Sequence, residues 1–348
     1  MKENTKKAFR WLYIVATLGV IVIIGISDPN IRTINLLEII SRFSLVWILL
    51  AISCIILYWL TDTLIINYIT GYMYVKEPLW KSMKISIIGQ YYSALTPSSS
   101  GGQPFQVVYM KRNGIPIGTS TCILSIKFLT YQLALCTFYA VGMLIRGQFF
   151  IANFNQVFWI SLVGFAINAA SVVFIFLVLI SPPLVLRMSK AIMRFLHKLH
   201  IVKNYEKGIH NVEVMVEDFT TALGYVKKYK GKVLVTYLIS LGHLTCFFSV
   251  SLLLYTAFGL NQYSWGDILL MQSFLFISIS FFPLPGASLA AEGGFYLFFS
   301  AIFPPQMIYL AMILWRIITY YSNVIAGAGV VLFDEFANLS RKKQQKDA

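Results

Sequence analysis

Apolar runs about as long as a bilayer is thick recur along this chain, near 10–27, 43–66, 117–145, 154–181, 232–258 and 306–333. A helix needs roughly 20 such residues to cross the hydrocarbon core. Lipid offers no partners for backbone N–H and C=O groups, so only helices or closed barrels cross it. The chain is 58% hydrophobic and 12% charged, against about 25% charged in an ordinary soluble domain. Those charges are too few to coat a soluble globule of this size. The expected fold class is an all-α polytopic membrane protein.

A formal net charge of +14 would suit a nucleic-acid binder, but its distribution argues otherwise. The basic residues gather at the amino terminus, around 76–84, at Lys111 and Arg112, through 187–232 and at 341–346. These are short connections beside apolar spans, where Lys and Arg set topology and meet anionic headgroups. No nucleic-acid module is visible. Cys54, Cys122, Cys136 and Cys246 sit inside apolar stretches without C-x-x-C spacing, so they read as small hydrophobes rather than metal ligands or disulfides. No metal or cofactor is expected. The basic-then-apolar amino terminus lacks an A-x-A cleavage site and reads as the first span.

Two further apolar stretches, 82–112 and 267–303, are each interrupted. The first is broken by Thr96-Pro97 and Gly101-Gly102-Gln103-Pro104, the second by Pro283-Leu284-Pro285-Gly286-Ala287 and Glu292-Gly293-Gly294. Neither half of either stretch is long enough to span, so each is expected to be a re-entrant helical hairpin. Gly101 and Gly286 are expected to supply turn angles that other residues resist. The positive-inside rule closes only if each hairpin returns to its own side, with both termini cytoplasmic. The chain then divides into two inverted repeats, each with three spanning helices and one hairpin. Residues 1–150 form the first repeat, 151–183 the first span of the second, and 232–336 its remainder; 337–348 is a cytoplasmic tail. Between them, 184–231 is expected to be a cytoplasmic amphipathic segment. Arg187, Lys190, Arg194 and Lys198 alternate with Met188, Ile192 and Phe195 at helical spacing. Lys127-Phe128-Leu129-Thr130-Tyr131 and Arg316-Ile317-Ile318-Thr319-Tyr320 repeat a basic residue followed by Thr-Tyr, each after a Gly-Gly pair.

Paired broken segments in inverted halves point to a transport site near the bilayer midplane. Charges at that depth cost about 2.5–3.5 kcal/mol on insertion scales, so Asp62, Lys127, Glu292 and Arg316 each require a reason. One alternative pairs Lys127 with Asp62 and Arg316 with Glu292. The other has both cations lining a central cavity and contacting a lipid phosphate. In the second, Lys127 and Arg316 are the expected lining cations, and Glu292 balances Arg316 or binds a cationic headgroup. Asp62 is assigned to a structural ion pair, Lys111 and Arg112 to headgroup contact at the cytoplasmic mouth, and His243 to a hydrogen-bonded core position rather than a proton relay. No H-E-x-x-H, G-x-S-x-G or P-loop is present, so no catalytic residue is assigned.

The two hairpin motifs, Leu95-Thr96-Pro97 with Gly101-Gly102-Gln103-Pro104 and Pro283-Leu284-Pro285-Gly286-Ala287 with Ala291-Glu292-Gly293-Gly294, resemble those of the lysylphosphatidylglycerol synthetase transmembrane, flippase-like family. The resemblance covers nearly the whole chain. It implies a bacterial inner-membrane domain that moves anionic or aminoacylated phosphatidylglycerol between leaflets and lowers sensitivity to cationic peptides. It also implies that the two turns and Glu292 form the central site, so that Gly101, Gly102, Gln103, Pro285, Gly286 and Glu292 bind substrate with Arg316 and Lys127 as basic partners. Full-length synthetases of that family carry a soluble domain that takes lysine from lysyl-tRNA. This chain ends about fifteen residues after its last span, so aminoacyl transfer by this polypeptide alone is not expected. The alternatives are a phosphatidylglycerol lysyltransferase, with or without a separately encoded synthetase, and a non-transporting membrane subunit.

Overall fold

A computed structural model describes residues 44–96, 99–198, 205–280 and 290–347. The expected span at 10–27 and the turn holding Pro285 and Gly286 lie outside the described residues. Within them every regular element is helical. Five helical segments are long and apolar enough to cross a membrane: Leu45–Met73, Ile117–Asn153, Asn155–Leu179, Lys230–Ala257 and Pro305–Asp334. They coincide with the five unbroken runs beyond residue 43. We number the helices α1 (Leu45–Met73), α2 (Leu79–Leu95), α3 (Gly102–Arg112), α4 (Ile117–Asn153), α5 (Asn155–Ile180), α6 (Pro182–Lys198), α7 (Tyr205–Lys228), α8 (Lys230–Ala257), α9 (Trp265–Ile279), α10 (Ala290–Phe299), α11 (Pro305–Arg316) and α12 (Ser322–Asp347). A π-helical segment, Ile317–Tyr321, joins α11 to α12.

Proline sets where several helices begin. Pro78, Pro116 and Pro304 immediately precede α2, α4 and α11. There a fixed φ and a missing N–H do no harm, since the first turn has no acceptor for that proton. α9 starts instead with a capping box between Ser264 and Asp267. The same carboxylate takes a two-pronged grip from Arg146 on α4, at 2.7 and 2.8 Å. α9 is thereby fixed to the far end of α4.

The outer faces of the spans are apolar. Leu49, Ile56, Leu60 and Leu64 of α1 are exposed, as are Val163, Ile167, Val173 and Phe176 of α5. In water such faces would be aggregation surfaces; in a bilayer they meet acyl chains. Inside, two hydrophobic clusters occupy opposite ends of the bundle. One holds Ile55, Leu135, Phe150, Phe248, Phe274, Phe299 and Trp315. The other holds Ile66, Ile69, Ile85, Cys122, Ile123, Phe219 and Leu223. Both α1 and α4 run through the two clusters in succession, and Asp62 falls at the junction.

The 184–231 interval, expected to be an amphipathic segment, holds two helices, α6 and α7. α6 packs on α7, with Lys190 and Glu213 paired at 2.8 Å. α7 in turn buries Val216, Phe219 and Leu223 against the start of α4. Gly118 allows this approach, because a Cβ there would meet the Met215 carbonyl, Asp218 and the Phe219 nitrogen. The backbone of α7 cannot retreat cheaply. Gly118→Leu should therefore cost about 1–3 kcal/mol, the usual range for overpacking, seen as a lower Tm in detergent.

Candidate functional site

Four of the shorter helices form two pairs whose described ends reach the middle of the bundle. α2 and α3 pack together, as do α9 and α10. At the end of α2, Thr96 donates to the Tyr92 carbonyl at 2.6 Å and accepts the Gly101 N–H at 2.7 Å. One hydroxyl thus closes the last turn of α2 and satisfies the chain as it turns back. Among the described residues of this turn, Ser99 is left-handed, with φ 54°. Gly101 has ordinary right-handed angles, φ −79° and ψ −21°, so unusual backbone angles are not what calls for glycine there. The reason is space: a Cβ on Gly101 would come within 2.5 Å of the Thr96 methyl. At Gly102 a Cβ would collide with the Ser93 hydroxyl and the Gly89 carbonyl, so α3 lies against α2 with no room for a side chain.

Between the two clusters lies a cavity of about 570 Å³. Gly102, Gln103, Ser93 and Ser99 reach it from the first short-helix pair, Ile279 and Ala291 from the second. Lys127 and Arg316 line it as well. Each cation holds a carboxylate. Lys127 Nζ lies 2.7 and 2.9 Å from the two oxygens of Asp62, and Ser86 donates to the same carboxylate at 2.6 Å. Arg316 Nε and Nη2 both donate to Glu292 Oε1 at 2.6 Å. Glu292 is wholly buried and Arg316 is 3% exposed. The Arg316 guanidinium also lies over the rings of Tyr320 and Trp315, at 4.7 and 5.6 Å. Both ion pairs are those offered by one of the two sequence alternatives. Because both cations also line the cavity, the two alternatives do not exclude each other.

Both ion pairs are short and supported by neighbours, as a buried pair must be to offset the desolvation of its charges. Among the described residues, the charges lining or adjoining the cavity form two closed dipoles rather than a field of one sign. Around them is a ring of neutral polar and aromatic groups: Tyr58, Gln90, Tyr131, Gln132, His243 and Asn323. The His243 ring stacks on Tyr58 at 4.0 Å. Its Nδ1 lies 3.1 Å from the Tyr58 carbonyl oxygen, which can only accept, so Nδ1 carries the hydrogen in the neutral ring. The Trp315 indole N–H is buried without a hydrogen-bond partner among the described residues, which leaves a donor for a bound molecule.

Sequence reasoning singled out the charged residues here and assigned His243 to the core, although it also faces the cavity. It missed the amides and aromatics. Helical spacing held a usable signal: Tyr131 is four residues after Lys127, and Thr319, Tyr320 and Asn323 are three, four and seven after Arg316. Lys111 and Arg112 do not reach the central cavity. They form the last turn of α3, where positive charge complements the helix dipole. Arg112 instead lines a smaller surface groove with Tyr109 and Asp334.

The family model described as "Lysylphosphatidylglycerol synthase TM region" matches residues 11–327. A protein of Archaeoglobus fulgidus described as "UPF0104 membrane protein" is 24% identical over 295 residues, which covers 81% of this chain and 85% of that protein. No solved structure matches.

Proposed function

Because the chain belongs to the lysylphosphatidylglycerol synthase transmembrane family, we propose that it is a lipid translocase. It moves an anionic or aminoacylated phospholipid, or a related lipid-linked substrate, between the leaflets of a bacterial-type cell membrane. In this reading the two short-helix pairs are re-entrant hairpins of two inverted repeats, and both termini are cytoplasmic.

One observation carries the reading: two interrupted hydrophobic segments converge on a polar cavity inside an apolar bundle, and a paired cation from the helix following each one faces it. A headgroup crossing a bilayer loses its water. The cavity replaces that water with the amides of Gln90 and Gln132, the indole N–H of Trp315 and the two ion pairs. A phosphate would draw on Lys127 or Arg316, which make charge-assisted hydrogen bonds. That leaves Asp62 or Glu292 in need of a cation, and the ammonium of an aminoacylated headgroup meets the need. This charge balance favours an aminoacylated lipid over a purely anionic one. Movement of such a lipid to the outer leaflet would lower sensitivity to cationic peptides.

The test is a leaflet-resolved assay with purified protein in liposomes. The expected result is protein-dependent movement of aminoacylated phosphatidylglycerol, lost in Arg316→Ala. Well-folded protein that moves no anionic or aminoacylated lipid would sink the proposal. The family description supports one alternative, a membrane subunit of a phosphatidylglycerol lysyltransferase whose synthetase is supplied separately. Lysine incorporation into lipid that requires this chain, without leaflet movement, would favour it.

A further inference from the structure

Outside the central cavity, a groove of about 200 Å³ runs between the first short-helix pair and α12, lined by Tyr92, Phe105, Val108, Tyr109, Arg112, Val331 and Asp334. Its floor is aromatic: the Tyr92 and Phe105 rings stack in parallel with centroids 3.4 Å apart. Phe105 and Val108 are 37% and 45% exposed, so its wall faces whatever surrounds the bundle. Two cations approach the Tyr109 ring, Arg112 at 4.9 Å and Lys84 at 6.0 Å from its centre. Lys84 is paired with Asp334. Among the described residues Arg112 has no carboxylate within ion-pair distance. Among the described side chains, two cations and one carboxylate thus surround a single ring, leaving one positive charge at the end of an apolar trough.

We propose that this groove is a binding site for an anionic phospholipid, with its phosphate on Arg112 and an acyl chain along Phe105, Val108 and Val331, and that the bound phosphate competes with Asp334 for Lys84. Charge complementarity selects an anion, and the apolar wall selects one that carries a chain. A soluble phosphate would leave the exposed Phe105 and Val108 uncovered. The competition has a structural consequence. Lys84 sits on α2 and Asp334 on α12, so their pair ties these helices together. α2 also supplies Gln90, Ser93 and Ala94 to the wall of the central cavity. A phosphate that draws Lys84 away from Asp334 loosens that wall. A lipid docked at the surface thereby eases the opening of the path it is to follow. This coupling rests on the translocase reading; the binding site does not.

The experiment uses the full chain in liposomes of phosphatidylglycerol and phosphatidylcholine, with a photoactivatable phenylalanine analogue in place of Val108 and crosslinked lipid counted by mass. The expected result is preferential capture of phosphatidylglycerol. Arg112→Gln should lower that capture about fivefold, the factor that one basic residue contributes near an anionic surface. Arg112→Lys should recover most of it. Asp334→Asn should raise capture by a similar factor, because it frees Lys84; a merely structural Asp334 would give no increase. Capture that is unchanged in both Arg112→Gln and Asp334→Asn overturns the proposal. So does displacement of the lipid by millimolar inorganic phosphate, which would identify a soluble ligand. Arg316→Ala should retain groove capture while losing transport. Intact capture in a wild type that moves no lipid would overturn the translocase reading alone.

Discussion

Arg316→Met should lower stability by about 3–5 kcal/mol, because it leaves the Glu292 carboxylate buried without its cation. The double variant Glu292→Gln/Arg316→Met should recover most of that loss, since no uncompensated charge then remains. Transport should stay abolished in both. The pairing of a rescued fold with absent function separates the two roles of this ion pair. It holds α10 against α11, and it presents a guanidinium to the cavity beside Tyr320 and Trp315. Thermal unfolding in detergent and leaflet-resolved lipid movement, measured on the same preparations, would read the two roles. A double variant that transports normally would remove Arg316 and Glu292 from the site.

Gly164→Leu should cost about 1–3 kcal/mol by overpacking and also impair transport. A Cβ at position 164 would lie 2.5 Å from the Ile277 carbonyl oxygen and 2.8 Å from the Ser278 Cα. These are backbone atoms of α9 and cannot swing aside. The same approach lets Asn168 donate to the Gly164 and Ile277 carbonyls at 2.8 and 3.2 Å, while Gln132 donates to Asn168 at 2.9 Å. Three helices, α4, α5 and α9, are joined by this chain of bonds. Interhelical bonds of this kind average about 0.6 kcal/mol in membranes, so most of the expected loss comes from the clash. Transport should fall because Ile279, two residues beyond Ile277, lines the cavity. Gly164→Ala, with a smaller intrusion, should lie between the two; an unperturbed Tm in Gly164→Leu would show that the crossing is looser than these distances imply.

Much of this architecture was legible because lipid allows few solutions. Runs such as 154–181 contain no charge, and α5 follows that run closely. The interruptions at Thr96-Pro97 and Gly101-Gly102 likewise marked the end of α2 and the start of α3, since proline and small residues stop helices for local reasons. Lys127 and Arg316 stood out because a charge is costly at that depth. Gln90, Gln132 and Asn323 did not, because a neutral amide in a span is cheap enough to serve packing alone. Only the meeting of α2, α4 and α12 turns them into a lining. α7 was not separated from the rest of the amphipathic 184–231 segment for a related reason. Its buried face, Val216, Phe219 and Leu223, is interspersed with Glu217 and Asp218, so its partner shows only when α4 is placed beside it. Gly101 is instructive in the opposite way: glycine was expected there for a rare backbone angle, but crowding by Thr96 is what calls for it.

The π-helical segment at Ile317–Tyr321 sets the angular phase of everything after it. Such a segment amounts to one residue inserted into an α-helix, and one residue corresponds to a rotation of about 100°. Asn323 faces the cavity, Gly327 lies against the Tyr91 ring and Asp334 meets Lys84. All three face correctly only with that extra residue in place. Deleting one residue from 317–321 would let the helix heal into a regular α-helix while turning these three positions together, by about 100°, away from their present neighbours. The chain would remain a membrane-spanning helix of nearly the same length and hydropathy, but it would be indexed to the wrong neighbours.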